Sequence, residues 1–238
     1  MSFSDDPLAL GVYNYHFQKK NIPIKIHSRD FDVDEVLPSY FFRTENQMPD
    51  LECKALDLCD GKVLDIGACV GCHSVVLEGR KLDVTAFEKS PLCCEVMRDR
   101  GLRNVVNEDI YEFEDKKFDT ILLLMNGAGI AGTLRNVDRF LIKLKQLLQP
   151  GGQILIDSSD LIYLYMDDDG SALIDLNSEH YYGELVYQTE YQGKKGKEFP
   201  WLYIDKNLLA LKTEQNGLMV DQVFEGEHYD YLARIIAK

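Results

Sequence analysis

A glycine-rich turn in the first half of the chain contains residue types that let a backbone approach a bound ligand closely. Gly67 and Gly71 lie in this turn, between a short apolar run and a helical pattern that begins at Cys72. Small residues permit tight turns and close backbone contacts. The pattern is near to Gly-x-Gly-x-Gly, with Cys69 in the middle, where so small a side chain is tolerated if its φ is negative. We therefore expect a ligand-binding turn at residues 67–71.

Two carboxylates follow the next two strand-like segments. Glu88 comes directly after residues 82–87, where a carboxylate can accept hydrogen bonds from both hydroxyls of a ribose. Asp109 follows residues 104–106, where a carboxylate can accept a hydrogen bond from an adenine amino group. The carboxyl ends of parallel strands form the binding edge of such a sheet. Each carboxylate alone could be an ordinary surface residue, but their order at successive strand ends predicts an adenosine-type ligand.

Strands and helices alternate through the middle of the chain, and these elements must position the candidate residues. Continuous apolar runs, separated by helical periodicity, predict buried strands at residues 62–66, 82–87, 104–106, 118–125 and 153–157. Two further strands, at residues 218–224 and 229–236, are joined by so short a turn that they must be antiparallel. The predicted fold class is α/β, a doubly wound, mostly parallel seven-stranded sheet with an antiparallel last strand.

Two segments lie outside this alternation. Residues 1–50 lack its rhythm and are predicted to form an N-terminal extension or cap. Residues 184–204 are predicted to form an inserted β-hairpin with aromatic side chains on one face. We therefore expect a cap followed by a core domain at residues 51–238. Within that domain the insertion at residues 158–204 should contribute to a substrate site.

Several of these motifs together resemble those of the class I S-adenosylmethionine-dependent methyltransferases. The matching motifs are residues 63–67, Glu88, Asp109, residues 118–121 and Leu148-Gln149-Pro150-Gly151-Gly152. The resemblance covers about residues 50–157 by motif, and the antiparallel final hairpin extends it to the C-terminus. It implies S-adenosylmethionine as the cofactor and S-adenosylhomocysteine as its product.

The resemblance also implies where the cofactor contacts the chain. Asp65 and the 67–71 turn would approach the methionine portion, and Glu88 would hold the ribose. Asp109 would frame the adenine, and the segment after the fourth core strand would face the methyl group. The cofactor-binding residues implied in this way are Asp65, Gly67, Ala68, Cys69, Gly71, Glu88, Lys89, Asp109, Ile110, Met125 and Asn126.

Methyl transfer to a nucleophile needs chiefly alignment and the exclusion of water, because the methyl group of a sulfonium is already electrophilic. No universal catalytic residue is required. The candidates are Asn126, His73 and Asp157, although His73 is more readily explained as a capping or packing residue. Asn126 is followed by Gly127-Ala128-Gly129, so the Asn/Asp-Pro-Pro-Tyr/Phe motif of amino-methyltransferases acting on bases and glutamine is absent.

The sequence does not favour a metal site, and it suggests where the methyl acceptor binds. Catechol-type enzymes need a carboxylate after the fourth core strand, where this chain has only Met125 and Asn126. Tyr181, Trp201 and Tyr203 are candidates to line the acceptor pocket, and the aromatic face of the hairpin could cover it. The alternative is that these rings simply pack the hairpin onto the sheet.

Composition limits the partners. Forty acidic against 26 basic residues give a net charge of −14, which disfavours binding to nucleic acid. No apolar run is long enough for a membrane helix, and the acidic N-terminus does not resemble a signal peptide. Six cysteines without a secretory signal predict reduced thiols and a cytoplasmic location. We therefore expect a small-molecule methyl acceptor.

Two alternative functions stay open at this point. An NAD-dependent oxidoreductase would need glycine where Cys69 and Cys72 stand, and the reversed last strand also counts against it. A catalytically silent protein that binds an adenosyl ligand is compatible with Cys69 and with the missing catalytic motif. The spacing of Cys69 and Cys72 could also suggest a redox or zinc site, but no second cysteine pair follows.

Overall fold

The computed structural model of the chain describes residues 6–114, 117–167, 169, 171 and 180–238. Its helices are α1 (Pro7–Gln18), α2 (Asp50–Leu58), α3 (Cys72–Gly79), α4 (Pro91–Asp99), α5 (Leu134–Leu147) and α6 (Lys206–Gln215). Its strands are β1 (Ile24–Ser28), β2 (Asp34–Val36), β3 (Lys62–Ile66), β4 (Asp83–Phe87), β5 (Val105–Val106), β6 (Phe118–Leu123), β7 (Leu148–Ser159), β8 (Glu184–Tyr191), β9 (Lys194–Lys195), β10 (Phe199–Leu202), β11 (Leu218–Glu225) and β12 (Asp230–Ala237). In this part of the chain no helix is both long enough and apolar enough to cross a membrane.

The large sheet has the strand order β11-β12-β7-β6-β3-β4-β5. The pairs among β3 to β7 are parallel, whereas β12 runs antiparallel to both of its neighbours, β7 and β11. The reversal follows from the turn between β11 and β12, which is too short for the crossover that a parallel pair requires. The predicted α/β fold, with a mostly parallel seven-stranded sheet and an antiparallel last strand, is confirmed.

Strand β6 shows why helices cover both faces of this sheet. Ile121 and Leu123 belong to the apolar cluster that includes α5, whereas Leu122 belongs to the cluster that includes α2 and α3. All three side chains are fully buried. Burial of a side chain of this size contributes about 1.5–3 kcal/mol, so a strand buried on both faces needs a helical layer on each side.

A second sheet joins the N-terminal segment to the inserted hairpin. Its strand order is β10-β8-β1-β2, with every pair antiparallel, and β9 also pairs with β8. The predicted hairpin is present as β8 and β10, but the sequence did not predict that β8 also pairs with β1. Because β8 has partners on both sides, the hairpin is an integral part of a sheet rather than a free flap.

Helix α1 packs beside the glycine-rich turn. Pro7 stands at its first position, and the Asp6 side chain caps it by accepting a hydrogen bond from the Ala9 amide at 3.0 Å. Val12 shares an apolar cluster with Val70 of the turn and Leu92 of α4. The short helix predicted after Pro7 is therefore present, and it covers one side of the candidate ligand site.

The second sheet is docked onto the segment that follows β6. A 3₁₀ helix, Gly127–Ala131, lies under β10, and the Trp201 ring rests on Gly129. A Cβ atom placed on Gly129 would lie 2.1 Å from the nearest atom of that ring. Glycine at this position therefore lets the two sheets approach closely.

Gly129→Ala tests this contact. We expect it to lower the free energy of unfolding by about 1–3 kcal/mol, because the Trp201 ring must move to admit a methyl group. Gly79→Ala is the matched control, since a Cβ on Gly79 at the end of α3 meets no atom within 4 Å. Chemical denaturation measures both, and Trp201→Leu should relieve the effect of Gly129→Ala. Unchanged stability in Gly129→Ala would contradict the close docking.

Candidate functional site

The glycine-rich turn contains three residues with positive φ, at alternate positions. They are Gly67 (φ +74°), Cys69 (φ +50°) and Gly71 (φ +76°). The amides of Gly67 and Ala68 donate to the carbonyl of Phe87, which holds the turn against the end of β4. The condition under which the sequence analysis allowed cysteine here, a negative φ, is not met. The turn keeps the alternate left-handed geometry of a Gly-x-Gly-x-Gly sequence, at a cost of about 1–2 kcal/mol for the non-glycine residue.

Glu88 offsets the strain at Cys69. Its Oε2 accepts a hydrogen bond from the Cys69 amide at 3.0 Å, and its Oε1 accepts one from the Ser90 amide at 2.8 Å. Burial raises the pKa of Glu88, and these two hydrogen bonds oppose that rise. Each carboxylate oxygen has more than one acceptor site, so Glu88 can hold the turn and still accept hydrogen bonds from a ribose.

The predicted adenine end lies at the next strand end. Asp109 is exposed, and its Oδ1 accepts a hydrogen bond from the Tyr111 amide at 2.9 Å. Ile110 is buried beside it, and Lys89 is exposed after Glu88. An apolar surface next to an acceptor at the strand edge suits a flat base with an exocyclic amino group.

Asp65, which the sequence assigns to the methionine end of the cofactor, also binds within the protein. Its carboxylate is buried, and its Oδ2 accepts a hydrogen bond from Ser74 Oγ at 2.6 Å. Burial raises the pKa of Asp65, while the charge of His73 and the hydrogen bonds of Ser74 oppose the rise. In this structure the side chain therefore ties the end of β3 to α3 and positions the turn between them.

The segment after β6 is held by Asp157 at the end of β7. Met125 and Asn126 have positive φ values of 64° and 58°. Asp157 Oδ2 accepts a hydrogen bond from the Met125 amide at 3.0 Å, and Oδ1 accepts one from the Gly127 amide at 2.7 Å. Burial raises the pKa of Asp157 to about 6, although the hydrogen bond from the Gly127 amide opposes the rise.

The side chain of Asn126 is also occupied by the protein. Its Oδ1 accepts a hydrogen bond from Ser158 Oγ at 2.9 Å, and its Nδ2 donates to the Leu202 carbonyl at 3.0 Å. Ser158 Oγ in turn accepts a hydrogen bond from the Ile204 amide at 3.0 Å. Asn126 and Asp157, two of the three catalytic candidates, therefore shape this segment and join it to the second sheet.

The third catalytic candidate, His73, belongs to a buried ion cluster. Its Nε2 lies 2.7 Å from Glu52 Oε2, and Arg43 Nη2 lies 2.7 Å from both oxygens of Glu52. All three residues are more than nine-tenths buried. The preference for His73 as a packing residue is consistent with this position. The sequence analysis missed Arg43 and Glu52, because nothing in their local pattern distinguishes them from surface charges.

The ion cluster shifts the pKa values of its members in opposite directions. Burial raises the pKa of Glu52, but the hydrogen bonds and charges of His73 and Arg43 outweigh it and bring the pKa below its usual 4.5. Burial lowers the pKa of His73, but hydrogen bonds to Cys72 and Glu52 and the charge of Asp65 hold it well above 6.5. Both groups are therefore charged near neutral pH.

The three aromatic residues predicted for the acceptor pocket have three different environments. The hydroxyl of Tyr181 donates to Asp205 Oδ2 at 2.9 Å and accepts from the Asp205 amide at 3.0 Å, so it anchors the start of α6. Trp201 packs on Gly129. Tyr203 lines a cavity of about 190 Å³, together with Tyr187, whose hydroxyl is 3.1 Å from its own.

No metal centre is evident among the described residues, which contain no group of three or more histidine, cysteine or acidic side chains placed to hold an ion. Asp160, which follows β7, accepts hydrogen bonds from the Ile162 amide and the Tyr182 hydroxyl. All six cysteines are free thiols.

Comparison with known proteins identifies the family. A family described as a methyltransferase domain matches residues 64–156. The chain is 40% identical to a SAM-dependent methyltransferase from Bacteroides fragilis, solved in complex with S-adenosyl-L-homocysteine. The match covers 100% of this chain and 97% of that one, with a TM-score of 0.92. The chain belongs to the S-adenosylmethionine-dependent methyltransferases. The cofactor of this methyltransferase is therefore S-adenosylmethionine.

More distant structures share the fold of this methyltransferase. The CcbJ methyltransferase from Streptomyces caelestis is 16% identical, with a TM-score of 0.62 over 80% of this chain and 90% of that one. A S-adenosylmethionine-dependent methyltransferase from Clostridium acetobutylicum is 13% identical, with a TM-score of 0.57 over 78% and 87%. None of the curated protein sequences compared with the chain matches it significantly.

Glu88→Gln tests the ribose contact. We expect the affinity for S-adenosylhomocysteine to fall at least about tenfold, because the amide cannot replace charge-assisted acceptors worth about 1.5–3 kcal/mol each. Asp83→Asn, at the opposite end of β4, is the control and should stay within about twofold of wild type. Titration calorimetry measures both. An affinity unchanged by Glu88→Gln would place the ribose elsewhere.

The buried ion cluster predicts a pH dependence of stability. Because the pKa of His73 is raised in the folded state, its contribution to the free energy of unfolding is fully present below pH 6.5. That contribution is lost as the pH rises through the folded-state pKa. Because the pKa of Glu52 is lowered in the folded state, its contribution to the free energy of unfolding is fully present above pH 4.5. That contribution is lost as the pH falls through the folded-state pKa. His73→Gln should therefore reduce the free energy of unfolding by about 1–3 kcal/mol, with the largest loss between these two pH values.

Denaturant titrations across the pH range measure this loss. His228→Gln removes an exposed imidazole and is the control, with an expected change of less than about 0.5 kcal/mol. If the difference between wild type and His73→Gln did not vary with pH, the cluster would not carry the charges assigned to it.

Proposed function

We propose that this methyltransferase acts on a small molecule bound in the cavity between its two sheets. The supporting observation is that hydrogen bonds connect the cavity wall to the segment that follows β6. Tyr203 of the wall precedes Ile204, whose amide donates to Ser158 Oγ, and Ser158 also holds Asn126. One hydroxyl thus connects the acceptor cavity to the backbone that would face the methyl group.

The same proposal assigns the cofactor contacts. Glu88 would accept hydrogen bonds from the ribose hydroxyls, and Asp109 with Ile110 would hold the adenine. Lys89 is exposed next to the ribose position. The turn from Gly67 to Gly71 would pass beside the methionine portion of the cofactor, and Asp65 would hold that turn in position. These assignments are supported by the half-buried carboxylate of Glu88 at the end of β4 and by the exposed Asp109 beside the buried Ile110.

The reaction requires little from the protein beyond alignment of the acceptor atom with the methyl group of the cofactor. S-adenosylmethionine supplies a methyl group that is already activated by its positively charged sulfur. Asp157 holds the Met125 and Gly127 amides, which fixes the backbone on one side of the reacting atoms. Trp201, which packs on Gly129 of the same segment, would close the other side and exclude water. We assign no general base, because the side chains of Asn126 and Asp157 are already engaged.

The proposal also covers organisation and location. Residues 1–50, together with the 158–204 insertion, would form the cap over the core domain at 51–238, although residues 168, 170 and 172–179 of the insertion lie outside the described part. Pairing of β1 with β8 supports a joint cap. Six free cysteines favour the reducing environment of the cytoplasm.

Leu164→Trp tests the cavity as the acceptor site. Leu164 lines the cavity and is 41% exposed, so a larger ring can enter the opening without disturbing the core. We expect kcat/KM for a methyl acceptor to fall at least about tenfold, because filling the cavity excludes the acceptor. The affinity for S-adenosylhomocysteine should stay within about twofold of wild type.

The acceptor for this test comes from a metabolite panel incubated with S-adenosylmethionine carrying a deuterated methyl group, with products found by mass spectrometry. Leu211→Trp, on the exposed face of α6, is the control and should leave turnover unchanged. Full turnover in Leu164→Trp would place the acceptor outside the cavity. Binding of S-adenosylhomocysteine without turnover of any acceptor would instead favour the silent-binder alternative.

A further inference from the structure

The cavity beside Tyr203 is lined mainly by aromatic and aliphatic side chains. Aromatic rings surround much of it, from Phe31, Tyr163, Tyr187 and Tyr203, and Ser159 and His228 are polar residues at its edge. Among the described residues that line it there is no lysine or arginine. The faces of aromatic rings attract cations through their quadrupole, with Tyr and Phe both effective.

Two aspartates, Asp34 and Asp157, place negative charge near this cavity. Asp34 of β2 is separated from Tyr187 of β8 by the single strand β1, and Asp157 lies two residues before Ser159 of the cavity wall. Burial raises the pKa of Tyr187 and of Tyr203, with smaller contributions from neighbouring tyrosines and from these two aspartates, so the hydroxyls stay neutral and cannot supply a charge of their own. A cation inside the cavity therefore interacts favourably with its surroundings, and an anion does not.

Phe31 stands within an acidic loop. Asp30, Asp32 and Asp34 alternate with Phe31 and Val33 along this segment, which leads into β2. The large side chains of Phe31 and Tyr163 are each about 40% exposed, so both rings remain accessible from outside the cavity. A positively charged molecule would be attracted by the rim before it reached the rings.

The acceptor atom can be inferred from the way that charge moves during the reaction. An amine that enters as an ammonium first loses one proton to solvent, because only the neutral amine has a free lone pair. That lone pair forms the new N–C bond, the C–S bond breaks, and the electron pair of the C–S bond stays on sulfur. The positive charge therefore passes from sulfur to nitrogen, and the new ammonium releases a proton to solvent. With an alkoxide, phenolate or carboxylate acceptor the charge is instead cancelled. A cavity that favours positive charge at the acceptor position therefore suits an amine acceptor better than an anionic one.

Resting on the proposed function, we propose that the methyl acceptor is a small amine attached to an apolar or aromatic group, and that its nitrogen receives the methyl group in the Tyr187–Tyr203 cavity. The apolar group fits the cavity volume of about 190 Å³, and the ring faces with the acidic residues around Phe31 favour positive charge on the nitrogen.

A matched series of probes tests this inference in protein saturated with S-adenosylhomocysteine. Phenethylamine, phenylethanol and phenylpropionate share one ring and one linker and differ chiefly in the charge of the end group. We expect calorimetry to show phenethylamine binding at least about tenfold more tightly than phenylethanol, and phenylpropionate more weakly than either. Asp34→Asn should reduce the preference for the amine about threefold or more.

Asp221→Asn is the charge-matched control, because it removes a carboxylate that pairs with Arg234 and does not line the cavity, and it should leave the preference unchanged. Phenylpropionate binding as tightly as phenethylamine, equal binding of all three probes, or no binding of any in the millimolar range would overturn the amine assignment. S-adenosylhomocysteine binding is recorded in the same samples, and its loss in the wild-type protein would count against the proposed function instead.

Discussion

The backbone segment that follows β6 depends on a set of hydrogen bonds from the end of β7, and most of the site depends on that segment. Asp157 holds two of its amides, and Ser158 holds the Asn126 side chain. Two consecutive non-glycine residues with positive φ occur here. Strained backbone conformations of this kind persist only where surrounding contacts hold them in place. The adjacent residues Asp157 and Ser158 of β7 supply those contacts.

The same hydrogen bonds couple the two sheets. Asn126 donates to the Leu202 carbonyl, and Ser158 accepts from the Ile204 amide, so the end of the hairpin is attached to the edge where the methyl group would lie. Close packing of Trp201 on Gly129 reinforces this attachment. The proposed acceptor cavity is consequently positioned by the core sheet rather than by a separate flexible element. Such rigid support is what alignment of a nucleophile requires.

Sequence reasoning succeeded where a pattern is local and failed where the partner is distant. The strands of the large sheet were predicted because burial on both faces leaves continuous apolar runs such as that of β6. The pairing of β1 with β8 was not, because their register depends on residues more than a hundred positions apart. The ion cluster was missed for the same reason, since Arg43 and His73 meet only through Glu52. At Cys69 the sequence argument allowed cysteine only with a negative φ, but the geometry of the turn imposes a positive one.

The most direct test of the central claim is a crystal structure of the enzyme with S-adenosylhomocysteine. The account predicts both ribose hydroxyls within hydrogen-bond distance of the Glu88 carboxylate, the adenine beside Ile110, and the sulfur facing the backbone of Met125 to Gly127. A ribose bound away from Glu88, or a sulfur directed away from the Tyr203 cavity, would contradict it.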